Sequence, residues 1–195
     1  MWVVYSSKQF VVFSLCVVLL VVVLAYGLKE ILPSESQTEP IVVERVFDEW
    51  GLKLSMSVEK ATYAYGEPVN ITFTLKNIGN ETIKIEFAGL SRRFDFSVYN
   101  STDIFNISAR IYCDLFHAYF PATDTVILNG GESLTSTMQW FQSSFYYETI
   151  QVPPGKYYIF EVNYWLVHVE RNSIRYDVLD ILRLEDPIGI TILPP

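Results

Sequence analysis

Three features of the 195-residue sequence predict an all-β fold, an antiparallel sandwich of about seven to eight strands preceded by one transmembrane helix. From Gly51 onward, apolar and polar residues alternate over successive short segments, as in strands with one face in a core. Clusters of Gly, Asn and Pro separate those segments, and no amphipathic helix pattern interrupts them. Ahead of them, residues 10–28 read FVVFSLCVVLLVVVLAYGL without a charge. As a helix this run is about 28 Å long, close to the roughly 30 Å hydrocarbon thickness of a bilayer.

Residues 1–28 are therefore expected to be an N-terminal anchor. Ala25-Tyr26-Gly27 resembles a cleavage site, but the apolar run exceeds the roughly 7–15 residues of a signal-peptide core, so a retained signal-anchor is the expectation. Lys8 precedes the run, and acidic side chains dominate after it. The N-terminus is thus expected in the cytoplasm and the C-terminal domain outside a single-pass cell-membrane protein. Residues 29–50 are rich in Pro, Ser, Glu and Gln before a short mixed segment and read as a linker or stalk. Residues 51–195 read as the sandwich.

Leu52, Leu54, Met56 and Val58 share one face of the first strand, and Val69, Ile71, Phe73 and Leu75 share one face of the second. Asn77-Ile78-Gly79-Asn80-Glu81 then supplies turn formers before Ile83, Ile85 and Phe87, which predicts a hairpin. Phe94, Phe96 and Val98 begin a fourth strand, with Asp95 on its outward side as a surface charge, within reach of Arg92 or Arg93. Phe105, Ile107, Ala109 and Ile111 suggest a fifth. Leu134, Ser136, Met138 and Trp140 alternate after Asn129-Gly130-Gly131, a long strand follows Pro153-Pro154-Gly155 over residues 156–168, and residues 188–193 close the sheet. Strands of this number and turn spacing make the sandwich immunoglobulin-like. Residues 170–186 carry the weakest pattern.

The segments Tyr65-Gly66-Glu67-Pro68-Val69-Asn70-Ile71-Thr72-Phe73-Thr74-Leu75-Lys76-Asn77, Phe94-Asp95-Phe96-Ser97-Val98, Leu128-Asn129-Gly130-Gly131-Glu132-Ser133, Trp140 and Val152-Pro153-Pro154-Gly155-Lys156-Tyr157 follow one another in order. In them the chain resembles the intracellular proteinase inhibitor (BsuPI) family over roughly residues 51–168. The resemblance implies a small β-sandwich that binds another protein and, for the named member, inhibition of serine proteinases. Ile104-Phe105-Asn106 stands where that family usually places a tryptophan-containing strand.

Four Asn-x-Ser/Thr sequons make Asn70, Asn80, Asn100 and Asn106 glycosylation candidates. The formal charge of −8 excludes a basic nucleic-acid-binding surface. No nucleophile elbow, phosphate loop, calcium loop or paired-cysteine motif is present. Asp114 and His117 lie three apart, and His168 could approach them as a metal or acid-base site. Ordinary surface or strand histidines are far commoner, so a non-enzymatic chain without metal or cofactor is expected. Cys113 is the only cysteine beyond the apolar run, either a buried thiol or one half of an intermolecular link.

Aromatic residues cluster at Tyr112, Phe116, Tyr119 and Phe120, and again at Trp140, Phe141, Phe145, Tyr146 and Tyr147. Rings on loops at one end of a sandwich give large contact area at low entropic cost, so these two groups are the candidate binding surface, with core packing as the rival role. The expected function is an extracytoplasmic module for protein–protein interaction. The alternatives are a proteinase inhibitor acting through an exposed loop and a carbohydrate-binding module stacking sugars on Trp140, Tyr146 or Tyr147.

Overall fold

The computed structural model describes residues 39–88, 93–113, 123–144, 147–162, 166–178 and 183–195, with the backbone alone for 147–149. In chain order the strands are β1 (Ile41–Phe47), β2 (Leu52–Val58), β3 (Thr62–Tyr63), β4 (Val69–Asn77), β5 (Ile83–Ala88), β6 (Asp95–Tyr99) and β7 (Arg110–Cys113). They continue with β8 (Thr123–Leu128), β9 (Ser133–Trp140), β10 (Ser143–Ser144), β11 (Tyr147–Gln151), β12 (Gly155–Val162), β13 (Leu166–Arg171), β14 (Ile174–Asp177) and β15 (Ile188–Ile192).

One layer is the antiparallel sheet β1-β2-β4-β9. Its register sets Met56 opposite Phe73 and Phe73 opposite Ser136, so the alternating apolar residues of β2 and β4 share one buried face. The other side carries hydroxyl pairs, Thr72 with Thr137 at 3.0 Å and Thr74 with Thr135 at 3.3 Å. Two further sheets run β3-β15-β12-β6-β7 and β14-β13-β5-β8. They share one order, because β12 precedes β13 and β5 precedes β6 at matching positions. β10 and β11 form a separate pair.

The layers meet in one hydrophobic cluster. Phe73 of β4 stacks on Phe94, just before β6, with centroids 5.5 Å apart, and Phe94 meets Phe87 of β5 edge-on at 6.2 Å. At the other end, Trp140 of β9 meets Tyr157 of β12 edge-on at 5.6 Å. Offset and edge-on geometries satisfy the ring quadrupoles while filling the space between the sheets.

The predicted fold class needs correction in one respect. Among the described residues no helix is long and apolar enough to cross a membrane, and the helical turn assigned there is the 3-10 segment Ile107–Ala109. The described fold is all-β without a spanning helix, and residues 10–28, which carried that expectation, lie outside the described residues. The strand count also rises to fifteen among the described residues, because the strand expected over residues 156–168 contributes β12 and β13 to two different sheets and two-residue strands carry no periodic signal.

Four local readings change as well. β4 and β5 do not form a hairpin: β4 pairs with β2 and β9, whereas β5 pairs with β13 and β8, so residues 78–82 cross between sheets. The fifth strand begins only at Arg110, since Asn100-Ser101-Thr102-Asp103 opens a turn that leaves Phe105 and Ile107 outside. Asp95 is buried rather than a surface charge, because all five residues of β6 are covered, and its Oδ1 accepts the Phe96 N–H at 2.8 Å. β1 occupies Ile41–Phe47, inside the segment read as linker, and pairs along its length with β2.

The segments that carry the family resemblance are joined in space. Buried Asn77 donates from Nδ2 to the carbonyls of Glu81 at 2.6 Å and Leu128 at 3.0 Å, and its Oδ1 accepts the Gly79 N–H at 3.0 Å. Its backbone exchanges hydrogen bonds with Glu132 and Gly131. A Cβ on Gly130 would lie 2.8 Å from the Asn80 Cα, so only glycine lets these two turns approach so closely. At the opposite end of β4, buried Gln142 donates to the carbonyls of Ala64 and Glu67 and accepts the Gly66 N–H at 2.8 Å.

Candidate functional site

An open cavity of about 360 Å³ lies where β6 and β12 run beside residues 104–105 and 183–185. Strand pairing sets Tyr158 opposite Tyr99 and Phe160 opposite Ser97 on one side of the sheet. There Tyr99 and Phe160 meet edge-on, 5.3 Å apart, as one wall. Ile104 and Phe105 form another, and Phe105 is 87% exposed.

The loop carrying Phe105 is braced by its own short polar side chains, as turn-forming Ser, Asp and Asn allow. Ser101 Oγ accepts the Asp103 N–H at 3.1 Å, and Asp103 Oδ1 accepts the Phe105 N–H at 3.0 Å. The Phe105 carbonyl accepts the Ile107 N–H, and the Asn106 carbonyl accepts the Ala109 N–H. Ile107, 73% exposed, stands beside Phe105 as a second apolar projection.

Glu161 also borders the cavity, but its side chain points to the inward face of β12, away from Phe160, and its Oε1 is sealed from solvent. Alternation on β12 places it after Tyr157 and Ile159, and it is only 9% exposed. Its Oε2 accepts the Leu184 N–H at 3.1 Å, while its Oε1 has no hydrogen-bond partner among the described residues. Burial pushes the carboxyl up to about 8, against the opposing pull of the Leu184 N–H and the Arg183 charge. Tyr63 Oη is also buried without a partner among the described residues, but Tyr63 does not line this cavity. The carboxylate of Glu185 is held by Arg45 at 2.7 Å.

The sequence-predicted aromatic surface fares unevenly. Trp140 is core: it is buried, packs on Tyr157 and donates from Nε1 to the Ser143 carbonyl at 3.0 Å, which removes it as a stacking platform. Phe141 is 56% exposed beside Gln142, whose φ of 55° turns the chain at that point. Tyr119, Phe120, Phe145 and Tyr146 lie outside the described residues, and of Tyr147 only the β11 backbone is described. Tyr112 is half-buried and stacks on Phe96 at 5.3 Å.

Asn80, Asn100 and Asn106 are exposed, whereas Asn70 is half-buried with its amide bonded to Glu59 at 2.9 Å and Gln139 at 2.8 Å. Cys113 is buried. Asp114 and His117 lie outside the described residues. His168 sits on the outer side of β13, with Asp177 at 2.7 Å, Glu86 at 3.5 Å and Arg175 at 2.8 Å. A hydrogen bond from Lys84, then the Arg175 charge, holds Glu86 below its ordinary value, so this is a network of partnered surface charges. Among the described residues no cluster of His, Cys, Asp or Glu is placed to hold a metal ion.

The cavity itself was missed from the sequence. Its one local signal was a carboxylate, Glu161, at an inward position of an otherwise apolar strand face. Residues 104–105 and 183–185 reach it from distant parts of the chain.

No curated protein matches the chain. Among solved structures it is similar to a β-glucosidase from Erythrobacter marinus, at 12% identity and a TM-score of 0.37 over 79% of this chain and 16% of that one. An alkylpurine DNA glycosylase from Pseudomonas fluorescens matches at 14% identity and a TM-score of 0.32 over 70% of this chain and 28% of that one. The CARDB domain of a Pyrococcus furiosus protein, in complex with di-metal ions, matches at 9% identity and a TM-score of 0.36 over 80% of this chain and 96% of the other. The chain thus spans well under a third of the two enzymes. The profile of the BsuPI family, intracellular proteinase inhibitor, matches residues 56–168, more than half of the sequence, and the chain belongs to that family.

Proposed function

We propose that this BsuPI-type module is a non-enzymatic protein-binding domain whose contact face is the loop between β6 and β7. The observation that carries the reading is Phe105, a large ring almost wholly in solvent on a loop fixed by its own hydrogen bonds. A rigid aromatic in solvent gives a partner apolar area to bury at little cost in conformational entropy. Asn100 and Asn106 flank that ring in sequence, so a glycan on Asn106 would cover it. The reading therefore requires Asn106 to be unmodified.

A second reading names the partner as a serine proteinase. It rests on the family description and on the exposed Phe105 side chain, an apolar group of the kind a proteinase's specificity pocket takes. The test is to titrate a panel of serine proteinases with the full chain and with its Phe105→Ser, Ile107→Ser double variant. Inhibition that the double variant loses supports this reading. Equal inhibition by both chains moves the contact face elsewhere, and no inhibition of any enzyme removes the proteinase while leaving other protein partners to be sought by capture on Phe105.

A further inference from the structure

Among the strands described with side chains throughout, β14 is the one whose every residue is exposed. It is an edge of the sheet β14-β13-β5-β8 and follows β13 through the two-residue turn Asn172-Ser173, with φ of 52° and 63°. That turn is pinned, since Glu81 Oε2 accepts Arg171 Nε at 2.8 Å and Asn172 Nδ2 at 2.9 Å. Ile174 and Tyr176 lie on the face that Val169 and Ile85 turn to the core, yet they are 55% and 37% exposed, so β14 overhangs the core. An open edge with apolar residues on its inward side lacks the usual guard against pairing with another strand. We propose that β14 pairs antiparallel with β14 of a second copy of this chain, about a two-fold axis at Tyr176.

Charge complementarity selects that occupant. On the outer face the strand register forms two rows across the sheet. Lys84, Glu170 and Arg175 alternate in sign and end on a cation, while Glu86, His168 and Asp177 end on a carboxylate. Within the chain Arg175 meets Glu86 at 2.8 Å, Lys84 meets Glu170 at 3.5 Å, and His168 Nε2 lies 2.7 Å from Asp177. Even so, the side chains of Arg175 and Asp177 remain 53% and 87% exposed at the edge. The next position in the first row calls for an anion and in the second for a cation, and a second β14 supplies both.

The backbone sets the register. The Val178 N–H donates to the Val167 carbonyl at 3.1 Å, so Tyr176 and Ile174, in step with Val178, also bond to β13. Arg175 and Asp177 therefore turn their N–H and C=O groups to the open edge. A two-fold axis at Arg175 or at Asp177 would set like charges against each other. An axis at Tyr176 instead places Arg175 of each copy opposite Asp177 of the other as hydrogen-bonded pairs, with the two tyrosines facing each other at about 4.5 Å between Cα atoms. The row Lys84, Glu170, Arg175 of one copy then runs on into Asp177, His168 and Glu86 of the other. A contact of one short strand per copy belongs to the weak class, below about 1,200 Å².

The test is disulfide trapping of the full chain carrying Cys16→Ser, in which the remaining Cys113 is buried. Adding Tyr176→Cys brings the two thiol-bearing Cα atoms within the roughly 4.4–6.8 Å that a disulfide spans. Ile174→Cys leaves them about 13 Å apart along the strands. Mild oxidation is therefore expected to trap the first as a dimer at least about tenfold faster than the second. In the Tyr176→Cys chain, Asp177→Arg or Arg175→Asp should each slow trapping by about tenfold. Combining both changes in one chain should restore it, and mixing the two single variants should trap the mixed pair alone.

The proposal fails if the Tyr176→Cys chain, with its thermal melt intact, traps no dimer, because the edge then serves something other than a second copy. It fails equally if Ile174→Cys traps as fast or if the charge exchange brings no rescue. Phe105→Ser with Ile107→Ser should leave trapping unchanged; if that variant abolishes it, the copies meet through the contact loop and the β14 pairing is overturned.

Discussion

Two buried polar side chains, Asn77 and Glu161, mark regions of opposite character. Asn77 has both amide groups engaged, Nδ2 with two carbonyls and Oδ1 with a backbone N–H, and it ties the crossing after β4 to the turn before β9. Glu161 has one oxygen engaged and one left over, sealed inside the fold. Burying a polar group is tolerable when its partners come from the same chain, and Asn77 meets that condition. The incomplete partnering of Glu161 is a cost that the fold bears, and a raised carboxyl pKa is its expression.

Breaking the complete case should cost most. Asn77→Ala leaves the Glu81 and Leu128 carbonyls and the Gly79 N–H without their partner, and a loss of roughly 4–5 kcal/mol is expected in urea unfolding. Phe73→Ala provides the apolar yardstick. It removes a fully buried ring stacked on Phe94, at an expected cost of about 3–5 kcal/mol, while Thr72→Ala on the outer side should stay within about 0.5 kcal/mol. If Asn77→Ala costs no more than Thr72→Ala, the polar junction is not what holds these turns.

These two residues also show how far the sequence could be read. β2, β4 and β9 were legible, facing included, because burial and sequence share a period of two there: Leu52 to Val58 and Val69 to Leu75 alternate without a break. Asn77 lay in plain view, yet its turn formers read as a hairpin. Gly and Asn signal a reversal without saying whether the next strand returns to the same sheet or crosses to the other. β1 was hidden because Val42 and Val46 are exposed while Ile41 and Val43 are half-buried, so no face stands out. β6 is buried on both sides, so alternation assigned Asp95 to solvent that is not there. The cavity depends on long-range approach, and only Glu161's place on β12 was written locally.

The incomplete case makes a prediction about pH. Glu161 has an ordinary value of 4.5 when unfolded and about 8 when folded. Between those limits the folded chain holds a proton that the unfolded chain has released, so stability falls as pH rises from about 4.5 to about 8 and levels off beyond. The contribution is fully present below the unfolded value and amounts to roughly 3 kcal/mol lost by pH 7. Glu161→Gln, neutral throughout, should lack this slope and exceed the wild type in stability at pH 8. Parallel stability profiles for the two chains would show that Glu161 is ionised in the fold, and the contrast with Asn77 would disappear.

The smallest effect on stability is expected where the exposed apolar area is largest. Phe105 and Ile107 project from a loop whose braces are the Ser101 and Asp103 side chains and backbone groups, none of which a change at 105 or 107 removes. Phe105 is 87% exposed, so its ring buries almost nothing in the folded chain and little free energy is lost with it. The Phe105→Ser, Ile107→Ser double variant should therefore unfold within about 0.5 kcal/mol of the wild type. Asp103→Ala should behave differently: it removes the acceptor of the Phe105 N–H and loosens the loop, costing about 1 kcal/mol and weakening partner capture even though both apolar side chains remain. A loss of several kcal/mol in the double variant would mean that Phe105 closes over Tyr99 and Phe160 in solution. The ring would then belong to the wall of the Glu161 cavity rather than to a contact face.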